Sequence, residues 1–302
     1  MNRHFVKQNV LPLIAALIWG TAFVAQSVCT DYVPPFAFNA LRSFIALAVL
    51  IPTACIFDRA AARRGRPVAR IDWKELLLGG ALCGVFLAAG SNLQQFALAD
   101  VSVGKAGFVT SLYVVLVPVF AFLLFRKQVE PQVWIGVVLA VAGLYLLCVT
   151  GEFSLGVSDV FLLLAALGFT GQILSIDRFA VRVDGVKLSC AQFFFAGLIS
   201  TVLSLIFETV DWAGVWHCIL PILYVAVFSS GIAYTLQILA QAGSNPTVVT
   251  LLLSLESVFS VLSGAIILGD RLTLREYAGC ALMFAAVVLA QLRFGKTRRK
   301  KL

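Results

Sequence analysis

Two ionisable side chains lie inside long stretches of the sequence that otherwise carry no charge. Glu256 is the single charged residue of residues 212–269, and Arg42 is the single charged residue of residues 35–56. Ionisable groups in apolar helices are costly and normally face the protein interior or a water-filled cavity. Glu256 is suited to coupling proton movement or binding a substrate amine, with a structural hydrogen-bonded carboxylate as the alternative. Arg42 is suited to binding a carboxylate or phosphate, with snorkelling to the headgroups or pairing with Glu256 as alternatives.

Uncharged polar side chains follow one face of an apolar segment near the end of the chain. Ser230, Tyr234, Gln237 and Gln241 are spaced by steps of four, three and four, which aligns them on one side of an α-helix. We expect such a face to line a cavity, or else to form hydrogen bonds between helices. The predicted substrate-binding residues are Trp19, Gln26, Arg42, Gln94, Tyr113, Tyr234, Gln237 and Glu256. The aromatic members are suited to stacking on an amphipathic ligand, and equally to packing between helices.

Enzymatic chemistry has little support in the sequence. The two histidines, His4 and His217, lie at the edges of apolar stretches, and no aspartate pair lies within one. A membrane-embedded enzyme needs clustered acids that hold a metal or a nucleophile beside a base, so we expect no enzyme. The seven cysteines are isolated and odd in number, which predicts neither disulfides nor a metal site. No cofactor motif or Walker loop is found, which argues against transport driven by ATP in this chain.

The elements that must position these residues are membrane helices. Of 302 residues, 61% are hydrophobic and 13% charged, and the mean hydropathy is +0.97. A spanning helix needs ~20 mostly apolar residues, so the composition predicts an all-α integral membrane protein. Gly243 to Pro246 should split the long apolar run at residues 212–269, since that cluster ends one helix and starts another. The charge-poor stretches then predict ten transmembrane helices, over 10–30, 35–56, 76–98, 106–125, 131–151, 160–176, 188–207, two within 212–269, and 274–292.

The distribution of basic residues orients these helices. With the N-terminus in the cytoplasm, 19 of the 23 Lys and Arg residues fall in cytoplasmic segments and three in outer loops, while Arg42 lies within a helix. The positive-inside rule therefore places both termini in the cytoplasm. We interpret the basic tail at residues 293–301 as a charge anchor rather than a site for nucleic acid or anionic lipid. Lys105 and Asp100, in an outer loop, are expected to be solvated, with a gating role as the alternative.

The sequence repeats itself. One constant shift places Gln94 on Gln237 and Gly136 on Gly279 without a gap, and a second, slightly longer shift places Phe44 on Phe194. We predict two five-helix repeats, residues 1–150 and residues 151–302 with the basic tail. Because five is odd, the repeats cross the membrane in opposite directions. Inverted-topology repeats are typical of secondary transporters that work by alternating access.

Two segments resemble a known family. TSLYVVLVPVFAFLLFRKQVEPQVWIG (110–136) and LLSLESVFSVLSGAIILGDRLTLREYAG (252–279) are similar to the first- and second-repeat patterns of the EamA-type drug/metabolite transporter superfamily. The resemblance implies a ten-helix inverted-repeat fold in a bacterial plasma membrane and the movement of small metabolites or drugs, often outward. The sequence departs from the pattern at Ser257, where the family commonly has proline, so we expect a straighter ninth helix.

The function predicted from these observations is secondary transport. An Arg and a Glu among amides and aromatic residues suit amino acids or related zwitterions, which an exporter would move through a cavity between the repeats. Efflux of lipophilic cations is the alternative, favoured if Arg42 snorkels, and a membrane-embedded enzyme is the third possibility. The expected partners are the small-molecule substrate, the lipid bilayer and, through Glu256, protons, with the chain acting as a monomer or homodimer.

Overall fold

The helices of the computed structural model follow the apolar stretches of the sequence. The structure describes residues 6–63, 71–101, 103–126, 129–148, 156–268 and 273–291, and the basic tail lies outside them. Within these residues there are helices and no strands. The helices are α1 (Leu11–Cys29), α2 (Pro35–Arg63), α3 (Trp73–Ala97), α4 (Val103–Thr110), α5 (Tyr113–Phe125), α6 (Pro131–Cys148), α7 (Val157–Phe179), α8 (Gly185–Phe207), α9 (Trp212–His217), α10 (Ile219–Tyr224), α11 (Tyr234–Gln241), α12 (Pro246–Leu253), α13 (Glu256–Leu268) and α14 (Leu274–Gln291).

Eight stretches of the described chain are long and apolar enough to cross a membrane. They are Val6–Cys29, Pro35–Arg63, Trp73–Ala97, Lys105–Phe125, Val157–Phe179, Gly185–Phe207, Ile219–Gln241 and Pro246–Ser263. The predicted fifth and tenth spans are the helices α6 and α14, which are not among the eight. Each has 18 residues and is therefore about 27 Å long. The architecture is that of an all-helical, multi-pass membrane protein.

Local capping explains where several helices begin. The Asp72 and Asp184 carboxylates accept backbone N–H bonds in the first turns of α3 and α8. Asn245 caps α12 in the same way, and Pro246 occupies its first position. Gly243, with φ of +77°, supplies the left-handed conformation of the preceding turn. The predicted break in the apolar run 212–269 is thus confirmed, because α11 ends and α12 begins around these residues.

The principal helix contacts join residues before 150 to residues after 150. Helix α3 packs against α7 and α8, α2 against α8, α1 against α13, and α6 against α14. Small residues permit the close approach. A Cβ added to Gly84 would lie 2.8 Å from the Gln192 carbonyl oxygen, and one added to Gly143 would lie 2.9 Å from that of Gly279. The core is therefore formed between the two halves of the chain.

Helix boundaries recur along the chain. The shift that places Gln94 on Gln237 also places the first and last residues of α4, α5 and α6 on those of α12, α13 and α14, respectively. The shift that places Phe44 on Phe194 places the end of α1 on the end of α7 and the start of α2 on the start of α8. The helices thus repeat at the same two offsets at which the sequence aligns with itself.

The ninth predicted span is not one continuous helix although Ser257 replaces the family's proline, because the chain turns at Ser254 and Leu255 between α12 and α13. The Ser257 N–H donates to the Ser254 carbonyl oxygen, three positions back, at 3.2 Å, and the Ser254 hydroxyl donates to the Leu251 carbonyl oxygen at 2.9 Å. Such short-range bonds compete with the regular α-helical pattern even where no proline is present. A matching break separates α4 from α5 at residues 111 and 112, the counterparts of 254 and 255.

Two residues that were expected to be simply solvated form bonds to the second half of the chain. The Lys105 Nζ atom lies 2.8 Å from the Asp159 carboxylate, whose side chain is 3% exposed, and the Ser158 hydroxyl donates to Asp100 at 2.9 Å. Both contacts connect the start of α4 and its preceding loop to the start of α7. An apolar environment on one side strengthens such pairs relative to water, so they tie the two halves at this end of the bundle.

Candidate functional site

A small cavity lies between the two halves of the chain. All eight predicted site residues line it. The cavity-lining residues that the prediction missed are Phe23, Thr110, Phe169, Gln172, Ile173, Ser229 and Leu253. The residues come from α1, α2, α3, α4, α5, α7, α11, α12, α13 and the π-helix Val225–Ala233.

Arg42 is buried in the cavity wall and does not snorkel. Its side chain is held by two bonds, from Nε to the Ser230 hydroxyl and from Nη1 to Gln26 Oε1, each 2.9 Å long. Both acceptors are uncharged, and the Tyr234 hydroxyl also interacts with the guanidinium. No carboxylate of the described residues lies within 4 Å of the guanidinium, so the alternative in which Arg42 pairs with Glu256 is also wrong. The two bonds do not involve Nη2, and the positive charge lines the cavity without a counter-ion from the described chain.

A π-helix supplies one of these acceptors. Residues Val225–Ala233 form nine residues of π-helix between α10 and α11, and this widened helix includes Ser229 and Ser230. Ser230 accepts from Arg42, and the Ser229 carbonyl oxygen accepts the Trp19 indole N–H at 3.4 Å. Single turns of π-helix are frequent at functional sites. The spacing of the polar residues gave no signal for this distortion, because it predicted a regular helix.

Glu256 is the first residue of α13, at the break in the helix. Its Oε1 atom accepts the Tyr113 hydroxyl at 3.0 Å and the Ser111 hydroxyl at 3.3 Å. The Ser111 hydroxyl lies 3.0 Å from that of Ser257, which donates to the Gly107 carbonyl oxygen at 3.4 Å. Both bonds to the carboxylate end on Oε1, so Oε2 is used by neither. Tyr113 and Glu256 occupy corresponding positions, at the starts of α5 and α13, at the offset that aligns these two helices.

Amide side chains form another part of the wall. Gln237 and Gln172 exchange hydrogen bonds of 3.3 and 3.5 Å, and Gln172 also donates to Gln192 Oε1 at 3.3 Å. Gln94 donates to the Thr110 hydroxyl at 3.3 Å. The prediction missed Gln172, although an amide within the charge-free run 160–176 was a signal that could have found it.

Aromatic rings complete the cavity on one side. The ring centroids of Trp19 and Tyr234 are 4.8 Å apart at 61°, and those of Tyr234 and Phe193 are 5.6 Å apart at 86°. Edge-to-face contacts of this kind stabilise the packing of the rings. The three rings therefore form a fixed apolar cluster that joins α1, α11 and α8.

The side chains around the cavity are suited to binding a polar small molecule. Within the described part of the chain there is no group of three or more His, Cys, Asp or Glu side chains that could hold a metal. The space is surrounded by a guanidinium that has no counter-ion among the described residues, a carboxylate bonded through one oxygen, several amides and aromatic rings. A concave site of this kind within a bundle of apolar helices is able to hold a small molecule.

Comparison with known proteins identifies the family. The EamA-like transporter family matches residues 7–149 and again residues 156–292. The chain belongs to this family, as the motifs at 110–136 and 252–279 predicted. An uncharacterized transporter of Archaeoglobus fulgidus is 30% identical over 280 residues, which are 93% of this chain and 84% of that protein. The uncharacterized inner membrane transporter YedA of Escherichia coli is 24% identical over 301 residues, 94% of this chain and 92% of YedA.

A solved crystal structure has the same fold. It superposes with a TM-score of 0.76 at 22% sequence identity and covers 94% of this chain and 96% of its own. At that level of identity the likeness concerns the fold. The relatives and the family establish a membrane transporter, and the residues of the cavity must carry any statement about its substrate.

Proposed function

We propose that this protein is a secondary transporter that exports small zwitterions, such as amino acids or related metabolites, through the central cavity. The observation that carries the proposal is the presence of two opposite charges in one cavity without an ion pair between them. The bonds of Arg42 to Ser230 and Gln26 use Nε and Nη1, and the bonds of Glu256 to Tyr113 and Ser111 use Oε1. A substrate carboxylate at the guanidinium and a substrate ammonium at the Glu256 carboxylate would add charge-assisted hydrogen bonds.

The proposed architecture is ten transmembrane helices in two inverted five-helix repeats, residues 1–150 and 151–302, with both termini cytoplasmic. The recurrence of helix boundaries at two constant offsets supports the repeats, and so do the two matches to the family. Five helices in each repeat would give the halves opposite directions. In such transporters the halves rock around a site at their interface, and this cavity lies between the halves.

Proton coupling through Glu256 is part of the proposal. Glu256 is buried, is held by Tyr113 and Ser111 and lines the cavity. A carboxylate in this position is able to exchange a proton for a substrate ammonium group, because both compete for the same oxygen atoms. Efflux of lipophilic cations has less support, since Arg42 lines the cavity instead of reaching for headgroups.

The test is flux into or out of proteoliposomes for three matched compounds: an amino acid, the amine that lacks its carboxylate, and the acid that lacks its amine. Arg42→Gln should weaken binding of the amino acid roughly 10- to 100-fold, the equivalent of a charged hydrogen bond, and leave the amine unaffected. Glu256→Gln should weaken binding of the amino acid and of the amine, but not of the acid.

Matched controls lie outside the cavity. Arg182 and Glu75 form an ion pair of 3.2 Å at side-chain exposures of 49% and 30%. Arg182→Gln and Glu75→Gln make the same chemical changes and should leave the KM values of all three compounds unchanged. Absence of flux for every amino acid of a broad panel, or equal loss of amine and amino acid binding in Arg42→Gln, would contradict the proposal.

A further inference from the structure

Gln192 occupies in α8 the position that Arg42 occupies in α2. The same shift that places Phe44 on Phe194 places the start of α2 on the start of α8. At this offset residues 35–58 align with residues 185–208 without a gap. The alignment ends on Ile-Phe followed by an acid in both segments, at 56–58 and 206–208. Arg42 and Gln192 are therefore counterparts in the two proposed repeats.

The surroundings of the two counterparts differ. Arg42 lines the cavity, whereas Gln192 is fully buried and is not among the cavity-lining residues. Gln192 lies directly behind one of them, because its Oε1 atom accepts a hydrogen bond from Gln172. Its Nε2 atom has no acceptor among the described residues. Buried amide donors are nearly always paired in native structures, so Nε2 is a donor that a ligand or a water molecule would satisfy.

The helices that cover the two positions differ as well. Ser230, the acceptor for Arg42, lies in the π-helix Val225–Ala233, and its counterpart in the first half is Leu87 of the regular helix α3. Helix α3 is packed closely on α8 at Gln192, where a Cβ on Gly84 would meet the Gln192 carbonyl oxygen at 2.8 Å. One counterpart is thus open to the cavity and the other is closed off.

We propose that Gln192 replaces Arg42 in the cavity wall when the transporter faces the opposite side of the membrane. The inference rests on the proposed function, since inverted repeats exchange conformations during alternating access. The substrate carboxylate is then held by a guanidinium in one state and by a neutral amide in the other. Because charged hydrogen bonds are stronger than neutral ones, binding is about tenfold weaker in the second state, which favours release there.

The first test is cysteine accessibility, which needs no substrate. A single cysteine replaces Gln192 in a chain whose native cysteines have been changed to serine, and membrane vesicles of either orientation are treated with a water-soluble maleimide. Ala196→Cys, one turn along the same helix, is the control: it is 2% exposed, and its counterpart Ala46 is buried and does not line the cavity. Gln192→Cys should be labelled from one side and Ala196→Cys from neither. Equal, background labelling of both variants would overturn the proposal.

The second test exchanges the two side chains. In the wild-type protein the KM values for an amino acid measured in the two directions of transport should differ by about tenfold. In the double variant Arg42→Gln/Gln192→Arg this ratio should invert, whereas a purely structural role for Gln192 would leave it in its original direction. If the double variant does not fold, the labelling experiment decides.

The two tests separate this inference from the proposed function. Flux of amino acids with an inaccessible Gln192→Cys and an unchanged KM ratio would keep the transport proposal and overturn this one. Labelling of Gln192→Cys without flux of any zwitterion would support its exposure in a second state and overturn the assignment of the substrate, and with it the role of Gln192 as a carboxylate ligand.

Discussion

At the scale of single residues, the two charged groups of the cavity are each held by neutral partners. Arg42 is oriented by Gln26 and Ser230, both neutral, so its charge is not neutralised by a described residue. Glu256 is oriented through one oxygen by hydroxyl groups of α5 and the preceding turn. Burying unpaired charge is costly unless a ligand or water compensates it. The arrangement is therefore understandable as a binding site and would be unfavourable as a purely structural pair.

The coupling role of Glu256 leads to a prediction about driving force. If protons and substrate compete for this carboxylate, an imposed pH gradient should drive uphill accumulation of substrate by the wild-type protein. Glu256→Gln cannot exchange a proton, so it should transport downhill only and at the same rate with or without the gradient. Glu75→Gln, outside the cavity, should retain the gradient dependence, which substrate accumulation in proteoliposomes measures. Uphill accumulation by Glu256→Gln would assign the coupling to another group.

At the scale of helices, close backbone contacts hold the two halves together. Helices α3 and α7 approach each other at Gly90 and Gly168, where a Cβ on Gly168 would lie 2.7 Å from the Gly90 nitrogen and 2.9 Å from its Cα. Backbone atoms cannot move aside as a flexible side chain does. In a bilayer, where helices gain little from hydrophobic burial, such packing is a main source of association.

Replacing a glycine at this contact should therefore lower the stability of the protein more than replacing a glycine that has space around it. Gly168→Ala should lower the free energy of unfolding by ~1–3 kcal/mol through overpacking, and the purified protein should unfold at a lower temperature. Gly107→Ala is the matched control, because its added Cβ would meet only the Ser257 hydroxyl, at 3.7 Å. A thermal scan in detergent that shows equal stability for the two variants would contradict the role of the Gly90–Gly168 contact.

At the scale of the whole molecule, ion pairs connect the halves at both ends of the bundle. Lys105 and Asp159 join the start of α4 to the start of α7, at 2.8 Å, and Lys187 and Asp58 join the start of α8 to the last turns of α2, also at 2.8 Å. In the proposed topology the first pair lies on the outer side and the second on the cytoplasmic side. Alternating access requires the contacts on the two sides to open in different states.

Removing the outer ion pair should therefore favour the state that is open to the outside, and removing the cytoplasmic pair should favour the state that is open to the cytoplasm. Asp159→Asn should increase the labelling rate of a cysteine at Gln94, in the cavity, from the outside, and Lys187→Gln should increase it from the cytoplasmic side. Arg182→Gln removes a more exposed pair with Glu75 and should have a smaller effect, because exposed ion pairs contribute only ~0–1 kcal/mol. Maleimide labelling of vesicles of both orientations measures the rates. A shift in the same direction for Asp159→Asn and Lys187→Gln would contradict a gating role for these pairs.

Much of this protein was determined by its sequence alone. In a bilayer each spanning segment must satisfy its backbone hydrogen bonds within itself or at a helix contact, so the helices are encoded locally and hydropathy finds them. The glycine and proline cluster that begins at Gly243 indicated the break. Arg42 and Glu256 were selected because charged groups in apolar segments are costly and normally face the protein interior or a cavity. All eight predicted residues line one cavity.

Only the tertiary structure decided how those residues are used. The turn at 254–255, the π-helix that carries Ser230, and the burial of Gln192 behind Gln172 all depend on contacts between helices far apart in the chain. Hydropathy and spacing describe one helix at a time and contain no information on such contacts. Whether Arg42 would snorkel, pair with Glu256 or face a cavity was therefore open in the sequence. The packing of the two halves leaves its charge unpaired and directs it into the space between them.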